Sequence, residues 1–311
     1  MSVLVVGDTN VDLEIRLPTD AHRETHANPD PQLSGGGSAA NTAAALARLD
    51  VPCRFAGAVG DDSFGRSAVE SLTEAGVDTA PVTLARGEPT VAVIAVVQPG
   101  GERLIYVWPP SGGAHGALQP HDAVDAVVGS TWLHVSGICL RLQPARDAVL
   151  AAMQRARADG IPVSFDLNLR LENWGWEAGF REVVAAAVEH ADVVLGAASD
   201  EIGALAGIDD PVEAAKTLAG PNRLVIARLG AAGAMACTAT EVTTVPGFDV
   251  EVVDTVGAGD AFDAGFIAAR LDGLDVTTAL RWGNAVAGLT VAQPGARSTP
   301  TRRDVEKLLE Q

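Results

Sequence analysis

Lysine and basic charge are scarce in this sequence of 311 residues. Lys216 and Lys307 are its only lysines, and 22 basic against 40 acidic side chains give a formal net charge of −18. Because a surface that binds nucleic acid or an anionic membrane has to be basic, this charge argues against both partners. It does not argue against a nucleotide, whose phosphates can be held by backbone N–H groups and a metal ion.

Cysteines are also few, and long apolar runs are absent. Cys53, Cys139 and Cys237 are odd in number and lack the close spacing of a zinc site, so we expect buried thiols in a reducing compartment. No run approaches the roughly 18 apolar residues of a membrane helix. The chain starts directly with the apolar segment Val3–Val6, where a signal peptide would need a basic stretch. We therefore expect a cytoplasmic protein.

Short runs of Val, Ile and Leu alternate with alanine-rich segments along the chain. The runs predict strands at Val3–Val6, Arg54–Val59, Trp132–Ser136, Val163–Asp166, Val193–Leu195 and Leu224–Arg228. The segments predict helices at Ala39–Leu49, Ser63–Glu74, Gln143–Asp159, Phe180–His190, Val212–Leu218, Ala261–Leu271, Val276–Ala292 and Thr301–Leu309. Continuous apolar strands that alternate with helices indicate an α/β fold with a parallel sheet covered on both faces.

Two regions interrupt this alternation. Leu13–Leu33 is polar and irregular, whereas Thr90–Val97 and Arg103–Val107 flank a Gln-Pro-Gly-Gly-Glu turn and predict an antiparallel hairpin. A hairpin does not fit easily inside a parallel core. We therefore predict one domain over residues 1–311, with segments at about 13–34 and 88–112 forming a small β-sheet lid beside it.

The most informative motif is the Gly-Ala-Gly-Asp turn at residues 257–260, which precedes an amphipathic helix. The first N–H groups of a helix have no intrahelical partner, and small residues let an anion approach them. A carboxylate at Asp260 could then accept a proton from a hydroxyl that attacks phosphorus. From local chemistry alone, Asp260 is equally well explained as an acid that starts a helix. Asp263 is interpreted as a solvent-facing acid in the same turn.

Two further motifs contain residues suited to binding a polyol. Ser34–Asn41 places three glycines before a helix, and Asn41 can both donate and accept hydrogen bonds. Asn10 and Asp12 follow the first strand, at the edge of a parallel sheet where ligands bind. They lie on one face if the strand continues, and Asp12 could accept from two vicinal hydroxyls. A turn after a strand explains the same residues without a ligand.

Together, in this order and spacing, the three motifs resemble the ribokinase-like (PfkB-type) family of sugar and nucleoside kinases, over nearly the whole chain. The resemblance implies a three-layer α/β/α fold with a β-sheet lid, and an ATP- and Mg²⁺-dependent transfer to a sugar hydroxyl. It implies that Asp260 is the base and that the N–H groups of Gly257, Ala258 and Gly259 form an anion hole. It also implies a homodimer formed through the lid.

The same resemblance assigns residues to each part of the site. The acceptor would contact Asn10, Asp12, Gly36, Gly37, Asn41, Tyr106 and Arg170. The nucleotide would contact Arg228, Gly230, Gly233 and Asn284, where Arg228 stands at the position of a lysine in the family. Glu201 would orient magnesium-bound water. Potassium is a candidate second ion, held by Asp254, Val256, Thr290 and Gly295.

One departure from the family pattern concerns the magnesium side. The family has an Asn three residues before the acid, and this chain has Ala198 three residues before Glu201. Ser199 or a water molecule would have to replace that amide, or the rate would be lower.

The acceptor is left open by these motifs. Asp166-Leu-Asn-Leu-Arg170 resembles fructokinase-like and 2-keto-3-deoxygluconate kinase-like members, in which the Arg can reach a carboxylate or a sugar oxygen. Tyr106 and Trp108 are two residues apart and share a face of the predicted hairpin, which could wall a sugar pocket or form a dimer contact. A nucleoside kinase of the same family is the alternative. A sugar-binding protein with weak catalysis is a third reading, motivated by Ala198.

Overall fold

The computed structural model describes residues 2–17, 31–98 and 102–310, to which all structural statements refer. Its strands are β1 (Val3–Val6), β2 (Asn10–Arg16), β3 (Gln32–Gly36), β4 (Cys53–Ala56), β5 (Ala58–Gly60), β6 (Thr83–Ala85), β7 (Ala92–Val97), β8 (Arg103–Trp108), β9 (Trp132–Ser136), β10 (Val163–Asp166), β11 (Val193–Ala197), β12 (Leu224–Arg228), β13 (Ala234–Cys237) and β14 (Val242–Val245).

Its α-helices are α1 (Ser38–Arg48), α2 (Ser63–Glu74), α3 (Pro120–Val127), α4 (Ala145–Ala158), α5 (Leu171–Trp174), α6 (Ala178–Val188), α7 (Ala204–Ala206), α8 (Pro211–Ala219), α9 (Ala258–Leu271), α10 (Val276–Val291) and α11 (Arg302–Leu309). A π-helical turn, Ala198–Gly203, precedes α7. Within the described ranges, no helix has the length and apolar character that crossing a membrane requires.

An eight-stranded sheet forms the centre of the fold, in the order β14-β13-β12-β11-β10-β9-β1-β4. Six of its strands are parallel, which confirms the predicted mainly parallel sheet. The two strands at one edge, β13 and β14, are antiparallel and were not predicted. The turn from β12 to β13 needs Gly233, whose φ is +101° and where a Cβ would overlap the carbonyl of Val245.

Both faces of this sheet are covered, as the apolar strands predicted. Strand β1 shows why, because its successive side chains point to opposite faces. Leu4 and Val6 belong to the core packed under α3, α4, α6 and α8, whereas Val3 and Val5 belong to the core under α1, α9, α10 and α11. The result is the three-layer α/β/α architecture that was expected.

A separate four-stranded sheet has the order β3-β2-β7-β8. The predicted hairpin is present as β7 and β8, paired antiparallel from Ala92–Trp108 to Val97–Arg103. The segment interpreted as irregular contains two strands, β2 and β3, so that interpretation was wrong where the chain is described. Residues 18–30 of this segment and residues 99–101 of the hairpin turn lie outside the described residues.

The predicted strand Arg54–Val59 is likewise two strands. Strand β4 belongs to the central sheet, whereas β5 pairs with β6 in a sheet of two strands. Gly57 separates them, and a Cβ at that position would lie 2.6 Å from the carbonyl oxygen of Gly7. The close approach of these two backbones therefore explains why the apolar run changes sheet.

Candidate active site

The two glycine-rich motifs meet at Asp260. Helix α9 begins after Gly257, which adopts a left-handed conformation with φ of 80°, and Asp260 lies buried in its first turn. Ser38, the first residue of α1, donates from Oγ to Oδ1 of Asp260 at 2.6 Å. Asn41, one turn further along α1, donates from Nδ2 to Oδ2 at 2.9 Å. Two motifs more than 200 residues apart therefore form one site.

The environment of Asp260 favours a proton acceptor that works near neutral pH. Burial raises the pKa of this carboxyl to about 7, although the hydrogen bonds from Ser38 and Asn41 lower it. The nearby charges of Asp166 and Asp8 raise it further. A carboxyl with this pKa is partly ionised at neutral pH and still basic enough to take a proton.

The space beside Asn10 and Asp12 depends on the second glycine of the triplet, and the start of α1 depends on the third. A Cβ at Gly36 would lie 2.5 Å from the carboxylate of Asp12 and 2.7 Å from Nδ2 of Asn10, so only glycine leaves room for both. That Nδ2 donates to Oδ1 of Asp12 at 2.7 Å, while burial raises the pKa of Asp12. Gly37 has a φ of +95°, which suits glycine before the helix. Asn10, Asp12 and Gly36 thus lie together.

Arg297 also reaches Gly36, and no sequence motif predicted this contact. Its Nε donates to Oδ1 of Asn41 at 3.0 Å, and its Nη2 donates to the carbonyl of Gly36 at 2.9 Å. A Cβ at Gly35 would overlap the guanidinium, which explains the first glycine of the triplet. Because Arg297 and Asn41 are 256 residues apart, no local pattern could have revealed the contact.

A cavity of about 480 Å³ lies beside Asp260. It is lined by the turn at residues 255–259 and by the ends of three parallel strands with the segments that follow them. Its lining residues are Asp166, Asn168, Arg170, Leu171, Glu172, Asn173, Ala197, Asp200, Glu201, Arg228, Thr255, Val256, Gly257, Ala258, Gly259 and Asp260. Asp260 therefore lines this cavity and is also linked, through Asn41 and Arg297, to Gly36 beside Asp12.

Comparison with known proteins identifies the family of the chain. The sequence profile of the pfkB family carbohydrate kinases matches residues 1–302. The chain belongs to the pfkB family of carbohydrate kinases. An ATP-dependent ribose-1-phosphate kinase of Halopiger xanaduensis is 35% identical over 309 residues, covering 99% of this chain and 97% of that protein.

Two solved structures share the fold of this kinase. One is an E. coli protein with the provisional name ribokinase II, in complex with ATP and Mg²⁺, at a TM-score of 0.85 and 28% identity over 99% of each chain. The other is a double mutant of Vibrio cholerae fructokinase with fructose, ADP and potassium bound, at a TM-score of 0.80 and 30% identity. It covers 99% of this chain and 98% of its own.

Arg228 of this kinase points into a cluster of carboxylates. Its guanidinium donates to Asp166 at 2.7 Å and to Asp263 at 2.8 Å, and it lies 3.6 Å from Glu201. Asp263 is fully buried, so its interpretation as a solvent-facing acid was wrong. The helical period explains the difference, because position 263 of α9 faces the sheet, where Arg228 supplies the compensating charge.

Glu201 and Ala198 lie in the π-helical turn beside the cavity. Glu201 accepts backbone N–H groups of Leu169 at 2.8 Å and Ala197 at 2.7 Å, so it joins the ends of β10 and β11. Burial raises its pKa. Ala198 is buried at the position of the expected amide, and the Ser199 hydroxyl donates to Asp200 at 2.8 Å. Ser199 is thus already engaged, next to an acid that lines the cavity.

The segment after β10 has unusual backbone geometry. Asn168 and Arg170 have φ values of 39° and 49°, although neither is glycine. Such conformations cost of order 1–3 kcal/mol each and cluster at functional sites. Asn168 donates from Nδ2 to the Ser38 hydroxyl, so it supports the donor to Asp260. Arg170 is exposed and lines the cavity rather than the cluster around Asp12.

The predicted potassium-binding residues lie on neighbouring segments. Asp254 accepts the N–H of Gly295 at 3.1 Å and that of Val256 at 3.2 Å, so the two segments are joined through one carboxylate. The Thr290 hydroxyl donates to the carbonyl of Val286 at 2.8 Å. In the described ranges, no group of three or more His, Cys, Asp or Glu side chains is arranged to hold a metal.

The remaining predicted contacts lie further from Asp260. Asn284 donates from Nδ2 to the carbonyls of Val245 and Pro246, at 3.2 and 3.0 Å, and so ties α10 to the segment after β14. Gly230 and Gly233 shape the turn after β12. Tyr106 is 56% exposed on strand β8 and does not line the cavity.

Proposed function

We propose that this kinase transfers the γ-phosphoryl group of ATP to a hydroxyl of a small sugar or sugar acid, with Asp260 as the general base. The observation that supports this proposal most directly is the position of Asp260. Asp260 lines the cavity beside the turn at residues 257–259, and hydrogen bonds through Asn41 and Arg297 connect it to Gly36, which lies against Asn10 and Asp12. A hydroxyl bound on one side and a phosphoryl group bound on the other would both be within reach of it.

In the proposed reaction, the acceptor oxygen forms a bond to the γ-phosphorus while the bond from phosphorus to the β,γ-bridging oxygen breaks. Asp260 takes the hydroxyl proton, and ADP leaves with the electron pair of the broken bond. The N–H groups of Gly257, Ala258 and Gly259, at the start of α9, would donate to the phosphoryl oxygens. Such preorganised donors, with the helix dipole, stabilise negative charge without reorganisation during the reaction.

On the acceptor side, Asp12 and Asn10 would bind sugar hydroxyls, with Gly36 and Gly37 letting the ring approach the backbone. Asn41 would reach the hydroxyl next to Asp260. We call the four-stranded sheet β3-β2-β7-β8 the lid sheet. Arg170 and Tyr106 are exposed in this conformation, and we propose that they contact the acceptor after the lid sheet moves towards the central sheet. Phosphotransferases gain from such closure, since it excludes the water that would otherwise be phosphorylated.

On the nucleotide side, Gly230, Gly233 and Asn284 are proposed to lie along ATP, and Arg228 to act near its phosphates. Mg²⁺ fits the donor set of the cavity, because it prefers one or two carboxylates together with phosphate oxygens. Glu201 would hold magnesium-bound water, with Asp200 beside it. When bound, the ion would neutralise phosphate charge. Potassium would be held by Asp254 and by carbonyls near Val256, Thr290 and Gly295.

The decisive experiment is a screen for ADP formation over sugars, sugar acids, sugar phosphates and nucleosides, with and without potassium. Asp260→Asn should lower turnover of every accepted substrate by about 10²–10⁴-fold, the usual contribution of a general base. Asp209→Asn, a change of an exposed acid before α8, is the matched control. Unchanged turnover in Asp260→Asn would reject the base assignment. Phosphorylation of nucleosides alone would favour the nucleoside kinase, and binding without turnover would favour the sugar-binding protein.

We also propose that the lid sheet pairs with a second copy of the chain. Strand β8 lies at the edge of that sheet, and its residues Leu104, Ile105, Tyr106, Val107 and Trp108 are each more than 40% exposed. An exposed apolar strand at a sheet edge offers unpaired backbone groups and invites pairing. A twofold contact between two such strands would pair the free backbone groups of the edge and bury its apolar side chains.

A further inference from the structure

Arg297 lies between α10 and α11, yet its side chain extends to the acceptor side of the active site. Its Nε–H donates to Oδ1 of Asn41 at 3.0 Å. Nδ2 of the same amide donates to Oδ2 of Asp260 at 2.9 Å. The two hydrogen bonds thus run in sequence from the guanidinium, through Asn41, to the carboxyl of Asp260.

The amide of Asn41 can serve Asp260 in only one of its two orientations. Its oxygen accepts and its nitrogen donates, whereas a guanidinium can only donate. Arg297 therefore holds the oxygen side of the amide, which leaves the nitrogen side towards Asp260. A half-turn of the amide would place its oxygen against the carboxylate, where two acceptors would repel each other.

The guanidinium itself is firmly held and positively charged. Its Nη1 donates to the Ser71 hydroxyl at 2.8 Å, and its Nη2 donates to the Gly36 carbonyl at 2.9 Å. Burial lowers the pKa of Arg297 to about 10, while the charges of Asp12, Asp260 and Asp8 act in the opposite direction. Arg297 is therefore still protonated at neutral pH, and its charge favours the ionised form of Asp260.

We propose that Arg297 is a positioning residue for Asp260 and acts through Asn41, a role that rests on the proposed function of Asp260 as the base. The three neutral acceptors of its guanidinium belong to α1, α2 and β3, so the side chain also links the lid sheet to the helix that supports the base. A link of this kind could be purely structural. The test must therefore measure the state of Asp260 and not activity alone.

The test compares Arg297→Gln and Arg297→Lys with the wild type in kcat, in KM for each substrate, and in the pH dependence of kcat/KM. We expect Arg297→Gln to lower kcat by about 10–100-fold, the size of a lost hydrogen bond to a charged system, with KM for ATP unchanged. The rising limb of its pH profile should move to higher pH. Arg297→Lys keeps the charge and should reverse part of that movement.

Arg48→Gln is the matched control. Arg48 donates to the carbonyl of Thr299 at 2.8 Å and so anchors the same segment to α1 without contacting Asn41. Its pH profile should equal that of the wild type. In an Asn41→Ala background, Arg297→Lys should have no further effect on the rising limb, because the intermediary is gone. The comparison of Arg297→Lys with and without Asn41 also remains informative if Arg297→Gln does not fold.

Two outcomes would overturn the assignment of Arg297. The first is a variant that loses stability but keeps the wild-type pH profile, which would make Arg297 a structural link only. The second is an equal effect of Arg297→Lys with and without Asn41. Full turnover in Asp260→Asn would instead reject the proposed base itself, so the two failures are distinguishable.

Discussion

The hydroxyl of Ser38 donates to the carboxylate of Asp260 across 2.6 Å, although the two residues are 222 positions apart. This bond joins the first turn of α1 to the first turn of α9. Both helices therefore point their N-terminal ends at the same place, where their dipoles favour negative charge. The carboxyl is buried there, and its protonation depends on the two donors from α1.

The pH dependence of kcat/KM should report the ionisation of Asp260. A general base works in its deprotonated form, and the pKa of Asp260 is raised to about 7 by burial. We therefore expect kcat/KM to rise as the pH increases through about 7 and to level off above it.

Ser38→Ala removes a hydrogen bond to the charged form of Asp260, so the rising limb of the pH profile should move to higher pH. If the rising limbs of the wild type and of Ser38→Ala coincide, the role of the Ser38–Asp260 hydrogen bond is contradicted.

Gly36→Ala should damage acceptor binding selectively. The new Cβ would lie 2.5 Å from the Asp12 carboxylate and 2.7 Å from Nδ2 of Asn10, so both side chains must move. We expect KM for the acceptor to rise about tenfold or more, as a loss of roughly 1.4 kcal/mol implies, with KM for ATP unchanged. Gly179→Ala, where the added methyl meets open space, is the control. An equal change in both KM values would argue against an acceptor pocket here.

Arg228→Met should destabilise the fold, because it leaves Asp166 and Asp263 without their shared cation. Removing one partner of a buried ion pair costs about 3–5 kcal/mol, to be measured as the free energy of unfolding in urea. Asp263→Asn in the same chain should restore part of that loss. Arg155→Met breaks the half-exposed pair with Asp159 and should cost under about 1 kcal/mol. If Arg228→Met and Arg155→Met lower the free energy of unfolding by similar amounts, the buried cluster is refuted.

Ile105→Glu tests the proposed pairing of lid sheets. Ile105 is 64% exposed on edge strand β8, and a charge there would oppose burial against a second copy. Light scattering should give a dimer for the wild type and a monomer for this variant. Leu84→Glu adds the same charge at a residue that is 59% exposed on β6, outside the lid sheet, and should leave the dimer intact. A monomeric wild type would exclude the pairing.

The sequence was sufficient where the signal is local. Apolar runs and alanine-rich segments predicted the central parallel strands and most helices, because periodicity reflects which side chains a sheet or helix buries. The run at residues 54–59 was misread, since only the contact of Gly57 with the backbone of Gly7 divides it. The strands β2 and β3 were missed because most of their residues are polar or glycine and only partly buried, and because β2 also pairs with the distant β7.

For the site, the sequence by itself determined the chemistry that its two glycine-rich turns can support, since a glycine turn that starts a helix is recognisable from neighbouring residues alone. Only the tertiary structure decided what surrounds Asp260. Arg297 reaches Asn41, and Arg228 lies between Asp166 and Asp263, because folding brings separate strand ends and helix starts to one edge of the sheet. Burial and long-range contacts, which set the pKa of Asp260, do not exist until the layers pack.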